Sequence, residues 1–361
     1  MSTDAIEEII EARMRADRVP GLSVAVVRGE QTTWLRGFGV ADLDTAAPAQ
    51  PETGYLWFSL TKIVTATAVM QLVDRGRLDL DAPAHEYFAP LAVVRQQTPI
   101  TLRHLLSHSS GLANPFPLRW VRPAGAPAPD SRDFVERLLV RHTGLRFALG
   151  TRSSYSNLGF LVLGEVIAQV SGTTFEDHIR HSVLGPLGMT HTGFTYPELG
   201  QASAAIGYQP LPSLFMPLLR AALPRGVVGH RCGPYAAYRP FYVNGSAYGG
   251  LIGGVDDLAT LAAAHLNEGS INGVRLLSPA ATEAMQKVTR RDGPRDFGLG
   301  WYRTHSADTS EVFVEHLGGG SGFWNVLRLY PQRRLGIMLM GNTTHYDYEA
   351  ILTAIAEAGR V

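Results

Sequence analysis

The chain has 361 residues, 45% hydrophobic and 18% charged, which is long enough to bury a sizeable core in one large or two smaller units. Its 32 basic and 32 acidic residues cancel, which argues against nucleic acid or an anionic membrane surface as a partner. The single cysteine, Cys232, excludes an intramolecular disulfide and a multi-cysteine metal site, and we assign it no role.

The N-terminal segment does not resemble a secretory signal. It carries Asp4, Glu7, Glu8 and Glu11 where a signal needs a basic start followed by an apolar stretch. A membrane-spanning helix needs about 18 apolar residues, and the apolar run at 63–73 is shorter and contains two threonines. We therefore expect a cytoplasmic protein with no transmembrane segment.

Strand patterns occur near both chain ends. After a helical pattern at about 4–16, strands are predicted at 22–28 and 32–40 around a Gly29-Glu30 turn. Further strand patterns cover 311–316, 323–331 and 334–342, and a helical pattern covers 348–359. Both ends are therefore expected to join one sheet.

The middle of the chain is mostly helical. Helical patterns cover 56–76, 133–144, 157–172 and 256–269, and Ser278-Pro279 begins another. Asp256 and Asp257 are predicted to cap the helix after Gly254. Residues 123–131 form a polar connector. The stretch 200–245 is too long and apolar for an ordinary connection, and such loops commonly form lids or binding walls.

Ser59 and Lys62 form the first candidate site. Only two of the 32 basic residues are lysines, and unlike arginine a desolvated lysine can lose its proton. The three-residue spacing within a long apolar helical pattern places both side chains on one helix face. A neutral Lys62 would accept the Ser59 hydroxyl proton and so create a serine nucleophile. The alternative is a lysine that extends to solvent beside a helix-capping serine.

Tyr155 and Asn157 lie in a polar turn that leads into an apolar helical segment. A tyrosine with a lowered pKa can transfer protons, and an amide can orient a substrate carbonyl. Tyr242 and Asn244 have the same spacing, so the pattern alone leaves two candidate pairs. Either pair is also compatible with a loop tyrosine and a turn asparagine.

A glycine-rich segment runs from His316 to Gly322 at the end of a predicted strand. Glycines at a strand edge allow close approach of another backbone and leave N–H groups free, as an oxyanion hole requires. Gly318 and Gly319 are candidate substrate contacts. The alternative is a glycine-rich hairpin with a solvated histidine.

Competing motifs are weaker. His104 and His108 have the spacing of helical metal ligands, but the adjacent glutamate of a zinc hydrolase is missing. The chain contains neither the Gly-x-Ser-x-Gly motif of an α/β-hydrolase nor a phosphate-binding loop. We expect neither a metal nor a cofactor.

In chain order, Ser59-Leu-Thr-Lys62, Tyr155-Ser-Asn157 and His316-Leu-Gly318 resemble the three motifs of the serine β-lactamase and penicillin-binding-protein superfamily. More narrowly, they resemble its class C-like branch, which includes family VIII carboxylesterases, D-aminopeptidases and acyltransferases. Segments 19–29, 100–112, 186–194, 248–261 and 297–302 extend the resemblance over most of the chain.

The resemblance implies an α+β fold with a central antiparallel sheet flanked by helices. Residues 1–80 and 245–361 would form this sheet domain, residues 81–244 would form a mostly helical domain, and the active site would lie between them. The roles it implies are an acylated nucleophile (Ser59), its base (Lys62), a proton shuttle (Tyr155), substrate contacts (Asn157 and His316) and an oxyanion hole (the N–H groups of Ser59 and Gly319).

One departure bears on the substrate. β-Lactamases of this branch usually have Lys-Thr-Gly at the third motif, where this chain has His316 and Leu317. Leu317 cannot help to hold a substrate carboxylate, so esters or neutral amides are favoured over anionic β-lactams. We expect a serine hydrolase that forms an acyl-enzyme and hydrolyses carboxylic esters of small or medium acyl groups. Its acyl or alcohol pocket would include Phe215, Met216, Leu218 and Leu219.

Three alternatives remain open. The same residues would serve an acyltransferase or a D-amino-acid amidase or peptidase. They would also serve a weak β-lactamase. A more distant alternative is a non-catalytic binding or sensing module. A small-molecule ester or amide is the expected partner, and the sequence does not define the oligomeric state.

Overall fold

An eight-stranded antiparallel sheet lies at the centre of the protein. The computed structural model describes residues 3–214, 216–289, 295–304 and 312–358. In chain order the strands are β1 (Gly21–Arg28), β2 (Gln31–Asp42), β3 (Ala47–Pro48), β4 (Arg295–Phe297), β5 (Tyr302–Thr304), β6 (Val314–Gly320), β7 (Phe323–Tyr330) and β8 (Leu335–Gly341). Across the sheet their order is β4-β5-β6-β7-β8-β1-β2-β3. The first strand of the chain therefore pairs with the last, as the sequence predicts.

Helices cover the sheet and fill the middle of the chain. The longer ones are α1 (Thr3–Asp17), α2 (Thr61–Asp74), α3 (Ser131–Arg141), α4 (Asn157–Ser171), α5 (Val255–Leu266), α6 (Pro279–Gln286) and α7 (Tyr348–Ala358). Short α-helices span Ala84–Tyr87, Leu102–Leu106, Phe175–Ile179, Met216–Ala222 and Ser246–Gly249. The 3₁₀ turns are Phe58–Leu60, Ala89–Val93, Pro117–Arg119, Tyr196–Leu199 and Pro331–Arg333, and a π-helical segment spans Arg180–Leu184.

The alternation of side chains along β1 explains why both sheet faces are covered. Val24 and Val26 belong to a core cluster that includes residues of α1 and α7. Ala25 and Val27 face the opposite way, into a larger cluster that includes α2, α4 and α5. Successive strand residues point to opposite faces, so a strand that is apolar throughout is buried between two layers.

The 200–245 stretch is folded rather than an extended loop. It contains the strands Tyr208–Pro210, Val228–Cys232 and Tyr235–Tyr238, which form a separate three-stranded sheet. A further strand, Phe241–Val243, pairs with Val121–Pro123. The other short strands are Tyr55–Leu56, Thr192–Gly193, Ile252–Gly253, Ser270–Ile271 and Val274–Arg275.

The predicted capping role of Asp256 and Asp257 is wrong. Gly254 is the N-cap of α5, and no side chain caps that helix end. Asp256 Oδ2 lies 2.7 Å from His191 Nδ1, and Asp257 accepts a hydrogen bond from the backbone N–H of His191 at 2.8 Å. Both carboxylates therefore bind the segment that contains His191 to the first turn of α5, where the helix dipole also favours negative charge.

The larger core cluster contains residues from both parts of the expected domain division, for example Val64 and Leu163. The boundaries at 80 and 245 stay a prediction. Among the described helices, no single one has the length and apolar character needed to cross a membrane. Asn157–Ser171 and Phe175–Leu184 meet that test only as a pair, and they are bent by 76°.

Candidate active site

Ser59 lies in the 3₁₀ turn Phe58–Leu60, which follows the short strand Tyr55–Leu56 and leads directly into α2. The sequence pattern placed it within a helix that begins near residue 56. The difference arises at Phe58, whose positive φ of 46° reverses the backbone before the helix begins. Ser59 is half-buried, while its neighbours Phe58 and Leu60 are buried in the core.

The glycine-rich part of β6 packs directly against this turn. A Cβ atom on Gly318 would overlap the Trp57 carbonyl, and one on Gly320 would overlap the Phe58 ring. Only glycine allows two backbones to approach this closely. The segment His316 to Gly320 therefore lies in a strand beside the turn that holds Ser59. His316 is completely buried, so the alternative of a hairpin with a solvated histidine does not hold.

Lys62 contacts Ser59 directly. Its Nζ lies 3.0 Å from Ser59 Oγ, in hydrogen-bond geometry, and donates a second hydrogen bond to the Tyr248 carbonyl at 2.7 Å. Nζ also lies 4.8 Å from the centre of the Tyr155 ring and 5.6 Å from that of Phe160. Lys62 is completely buried, so it does not extend to solvent as the alternative interpretation required.

Burial lowers the pKa of Lys62 well below its ordinary value of 10.5. No carboxylate of the described residues lies within ion-pair distance to offset this effect. The surrounding aromatic faces attract a cation, but they replace only part of the lost hydration. Burial therefore favours the neutral amine, whose lone pair could accept the Ser59 proton.

Tyr155 occupies the other side of Lys62. Its hydroxyl is buried and has no well-aligned hydrogen-bond partner among the described residues. Burial raises the pKa of Tyr155 above its ordinary value, and the nearby Ser59 hydroxyl and Arg295 charge only partly oppose this. The expectation of a lowered pKa is therefore wrong, because desolvation disfavours the phenolate. Tyr155 carries its proton at neutral pH.

His316 lies on the far side of Tyr155, with 6.1 Å between the two ring centres. Burial first, and then the positive charge that Lys62 carries when protonated, lower the pKa of His316 well below 6.5, so the ring is neutral. Its Nδ1 lies 2.8 Å from the Leu317 carbonyl, which can only accept, so the proton is assigned to Nδ1. Nε2 is buried without a partner among the described residues and presents an acceptor lone pair.

Asn157 is the first residue of α4, two positions beyond Tyr155. Its backbone N–H donates to Asn114 Oδ1 at 3.0 Å, and its side-chain oxygen is buried without a partner among the described residues. Ser156 caps the helix by accepting from the Gly159 N–H. The cap fixes where α4 begins, and hence where Tyr155 and Asn157 lie.

The second candidate pair lies elsewhere. The Tyr242 hydroxyl accepts from the backbone N–H of Tyr196, and Arg122 packs over the Tyr242 ring at 5.0 Å. Asn244 accepts a hydrogen bond from Arg122 at 2.9 Å. These residues support the short strand pairing near 121–123. Tyr155, by contrast, packs against Lys62.

The histidines considered as metal ligands have separate partners. His104 Nδ1 lies 2.8 Å from Thr101 Oγ1 in a capping arrangement. His108 Nδ1 accepts from the Ser156 N–H at 3.0 Å, so the neutral ring carries its proton on Nε2. The His108 ring stacks on Tyr155 with 4.5 Å between ring centres.

His108 and Tyr248 are site residues that the sequence analysis missed. His108 supports one face of the Tyr155 ring, and Tyr248 binds Lys62 through its carbonyl and its ring at 5.3 Å. Both lie in segments that carry the family resemblance, 100–112 and 248–261. Their position in these segments could have indicated that His108 and Tyr248 belong to the site. It does not indicate that they contact Tyr155 and Lys62.

The residues expected to line an acyl pocket are less well placed. Met216 is buried, Leu219 packs partly against the main core, and Leu218 is 61% exposed. Phe215 lies outside the described residues. The part of 200–245 that reaches the site is instead Phe241, whose ring lies 6.3 Å from that of Phe58.

Comparisons with known proteins agree with this architecture. Protein flp of Staphylococcus aureus (strain N315) is 30% identical over 210 residues, which cover 58% of this chain and 41% of Flp. Esterase EstB of Burkholderia gladioli is 30% identical over 321 residues, covering 82% of this chain and 77% of EstB. A putative D-alanyl-D-alanine carboxypeptidase of Escherichia coli O157:H7 is 24% identical and covers 90% of this chain and 79% of its own length.

The fold is also found in a solved structure, the octameric penicillin-binding protein homologue from Pyrococcus abyssi. It matches with a TM-score of 0.79 at 23% identity over 99% of this chain and 77% of that one. The fold and the relatives define a member of the serine β-lactamase and penicillin-binding-protein superfamily. Residues 6–360 match the family described as Beta-lactamase, and the chain belongs to that family.

Proposed function

We propose that this protein is a serine hydrolase that forms an acyl-enzyme on Ser59 and hydrolyses carboxylic esters of small or medium acyl groups. The contact between the neutral Lys62 amine and Ser59 Oγ, at 3.0 Å, carries the proposal. A serine hydroxyl is a weak nucleophile until a base takes its proton, and a neutral buried amine is a suitable base.

In the acylation step Ser59 Oγ attacks the ester carbonyl carbon as its proton passes to Lys62 Nζ. The oxyanion that forms would be bound by the backbone N–H groups of Ser59 and Gly319, since β6 packs against the turn that holds Ser59. Collapse of this intermediate breaks the bond to the leaving oxygen. Tyr155, which is protonated, donates its proton there and regains one from the Lys62 ammonium.

In the second step water attacks the acyl-enzyme, and the same groups act in reverse. His316 would accept a hydrogen bond at Nε2 from substrate or water, because its Nδ1 proton is engaged with the Leu317 carbonyl. Asn157 would donate from its amide to the substrate. The His316 role uses a buried nitrogen that has no partner among the described residues, and the Asn157 side-chain oxygen beside the donating nitrogen is buried without a partner as well.

Two observations favour esters. Leu317 stands where a hydroxyl would help to hold the carboxylate of a β-lactam, and the relative EstB is named an esterase. The test is hydrolysis of nitrophenyl acetate and butyrate by Ser59→Ala, with Ser171→Ala at the end of α4 as the control. We expect Ser59→Ala to lose turnover and the control to keep it.

A fluorophosphonate should add its mass to the peptide that contains Ser59. Labelling of another residue, or full activity of Ser59→Ala, would contradict the proposal. A stable stoichiometric adduct on Ser59 without turnover of any ester would favour a sensing module instead.

A second candidate is an amidase or acyltransferase that uses the same residues. The relative named as a putative D-alanyl-D-alanine carboxypeptidase, matched over most of the chain, supports keeping it. Assays with D-amino-acid amides, and transfer to an added alcohol or amine measured against hydrolysis, distinguish these reactions. A chromogenic cephalosporin tests weak β-lactamase activity.

A further inference from the structure

A cavity of about 320 Å³ opens beside Tyr155. Three arginines line it, Arg146, Arg152 and Arg295, together with Asn114 and the ring of Phe297. Tyr155 is part of the same wall, so the cavity adjoins the proposed proton donor. Its volume is at the small end of ligand-binding cavities, which begin at about 300 Å³.

Among the described residues, the three arginines have no acidic partner. No carboxylate of the described residues lies within ion-pair distance of any of them. The Arg152 guanidinium packs over the Phe147 ring at 5.4 Å, and that of Arg295 packs over the Tyr302 ring at 4.8 Å. Stacking through the face of a guanidinium leaves its N–H edge available for an anion.

Hydrogen bonds hold this side of the site in a fixed geometry. The loop that carries Arg146 and Arg152 is joined to the loop at 108–114 by a series of backbone bonds. Their distances are 2.8 Å from Arg146 N to Gly111 O, 3.0 Å from Gly150 N to Ser109 O and 2.8 Å from Ser154 N to His108 O. Asn114 closes the series through Asn157. The backbone that carries Arg146 and Arg152 is thus held at a set position relative to Tyr155.

Arg295 acts on the site electrostatically. Its charge lowers the pKa of Tyr155, after the larger and opposite effect of burial. It also lowers the pKa of His316, again after burial. A cation that influences both groups lies close to where a leaving group would depart, since Tyr155 is the proposed donor to that group.

We propose that this cavity binds a carboxylate on the leaving group of the substrate, so that the natural ester is one whose alcohol or phenol carries an acidic group. The proposal rests on the proposed function for the direction of the leaving group. In the reaction Ser59 Oγ bonds to the acyl carbon, the bond to the leaving oxygen breaks, and that oxygen takes the Tyr155 proton. The carboxylate stays ionised against the arginines throughout.

Leu317 disfavours a substrate carboxylate beside the third motif, but not one beside Tyr155. The third motif offers no cation for a substrate carboxylate, but the arginines supply positive charge from the Tyr155 side. A substrate that is neutral at the acyl end and anionic at the leaving group satisfies both observations.

The test compares two esters that differ in one group, meta-acetoxybenzoate and meta-acetoxybenzamide. The variants are Arg146→Gln with Arg152→Gln, and Arg295→Gln alone. Arg141→Gln is the control, because Arg141 is an exposed arginine of α3 outside this cavity. Each Arg→Gln substitution, in the cavity or in the control, removes one positive charge. The measurement is the ratio of kcat/KM for the anionic ester to that for the neutral one.

We expect the wild-type ratio to exceed one, to fall about tenfold in the Arg146 and Arg152 double variant and to hold in Arg141→Gln. Raising the ionic strength from about 0.01 M to about 1 M should lower the wild-type ratio, because the screening length shrinks from about 30 to about 3 Å. Equal ratios in wild type and the cavity variants would overturn the proposal.

A binding measurement separates this proposal from the proposed function. Benzoate, and not benzamide, should raise the thermal unfolding midpoint of the wild-type protein and of Arg141→Gln, but not that of the double variant. Benzoate binding without hydrolysis of any ester would contradict the proposed function and support the cavity. Hydrolysis with no preference for either ester, together with no benzoate binding, would support the proposed function and contradict the proposal for the cavity.

Discussion

In the proposed mechanism the charge of one residue, Lys62, controls whether Ser59 can react, because only the neutral amine can accept the hydroxyl proton. Lys62→Met removes the base, and Lys62→Arg replaces it with a group that stays protonated. We expect both variants to lose about 10²–10⁴-fold in kcat/KM, as is usual for a general base. The measurement is hydrolysis of nitrophenyl butyrate with folding checked by circular dichroism.

The pH profile of the wild-type enzyme tests the same point. Burial lowers the pKa of Lys62, so the neutral form is present well below pH 10.5. The rate should therefore rise with pH to a plateau that is reached before the ordinary range of a lysine. A Lys62→Arg enzyme that keeps its activity, or a rate that increases only near pH 10.5, would mean that Lys62 is not the base.

The lowered pKa of Lys62 also means that burying this lysine destabilises the folded protein near neutral pH. The unfolded chain keeps a proton on this lysine up to a higher pH than the folded chain does, so folding becomes more favourable as pH rises towards 10.5. Lys62→Met removes this penalty. We therefore expect it to raise the midpoint of thermal unfolding at pH 7 although it abolishes activity.

The matched control is Lys287→Met, because the chain has no third lysine. The advantage of Lys62→Met over wild type should shrink as pH rises to and past 10.5, because the amine is neutral in both states of wild type only above that pH. An advantage that does not change with pH would show that packing, rather than the proton, is responsible.

For individual residues, the sequence predicted contacts between residues close in the chain well and contacts between distant segments poorly. The Ser59 and Lys62 contact follows from their spacing. Tyr155 and Tyr242 could not be separated by spacing, because the difference between them is a contact with Lys62 across the fold. The arginine cavity joins residues 146, 152 and 295, which no local pattern connects.

Among the elements, β6 depends on glycine where it meets the turn that holds Ser59. A methyl group at Gly318 would overlap the Trp57 carbonyl and push the strand away from Ser59. We expect Gly318→Ala to lower the free energy of unfolding by about 1–3 kcal/mol, as overpacking commonly does. Displacement of the proposed oxyanion donors should also lower kcat, by up to about 100-fold for a shift of about 1 Å.

The control is Gly125→Ala, since a Cβ atom at Gly125 meets no atom within 4 Å. Chemical denaturation gives the stability change, and steady-state kinetics gives kcat. Wild-type kcat in Gly318→Ala would contradict the role given to this strand.

Elements with a clear repeat were predicted closely. Strands β1 and β2 form a hairpin whose turn is at Gly29 and Glu30, as the sequence pattern predicted. Helix α7 follows the last strand, as the helical spacing predicted. The 200–245 stretch was not recognised as a small sheet because its strands are three to five residues long and lack a sustained alternation. The strand expected at 311–316 begins at Val314, and Glu311 lies outside the described residues.

At the scale of the whole molecule, the two chain ends build one sheet while the middle of the chain supplies Tyr155 and Asn157. Apolar strands at both ends predicted the shared sheet, which the family relationship and the structure confirm. The packing of the middle segment on that sheet depends on long-range contacts. The family resemblance predicted it, whereas composition and periodicity alone did not.

One buried ion-pair network links three of these distant elements. Arg328 on β7 binds Glu315 on β6 at 2.6 Å and Glu349 on α7 at 2.6 Å. Arg328 is 3% exposed and Glu315 is fully buried beside His316. The network stabilises the strand that carries the third motif against the C-terminal helix.

Replacing Arg328 by methionine would leave the Glu315 carboxylate buried without its counter-charge. We expect Arg328→Met to lower the free energy of unfolding by about 3–5 kcal/mol, and Glu315→Gln combined with it to recover part of that loss. Arg103 also donates two hydrogen bonds to one carboxylate, that of Asp81, but at the surface, so Arg103→Met should cost only about 0–1 kcal/mol. Urea denaturation of the four proteins measures these differences, and equal losses at the two arginines would refute the claim that burial makes Arg328 essential.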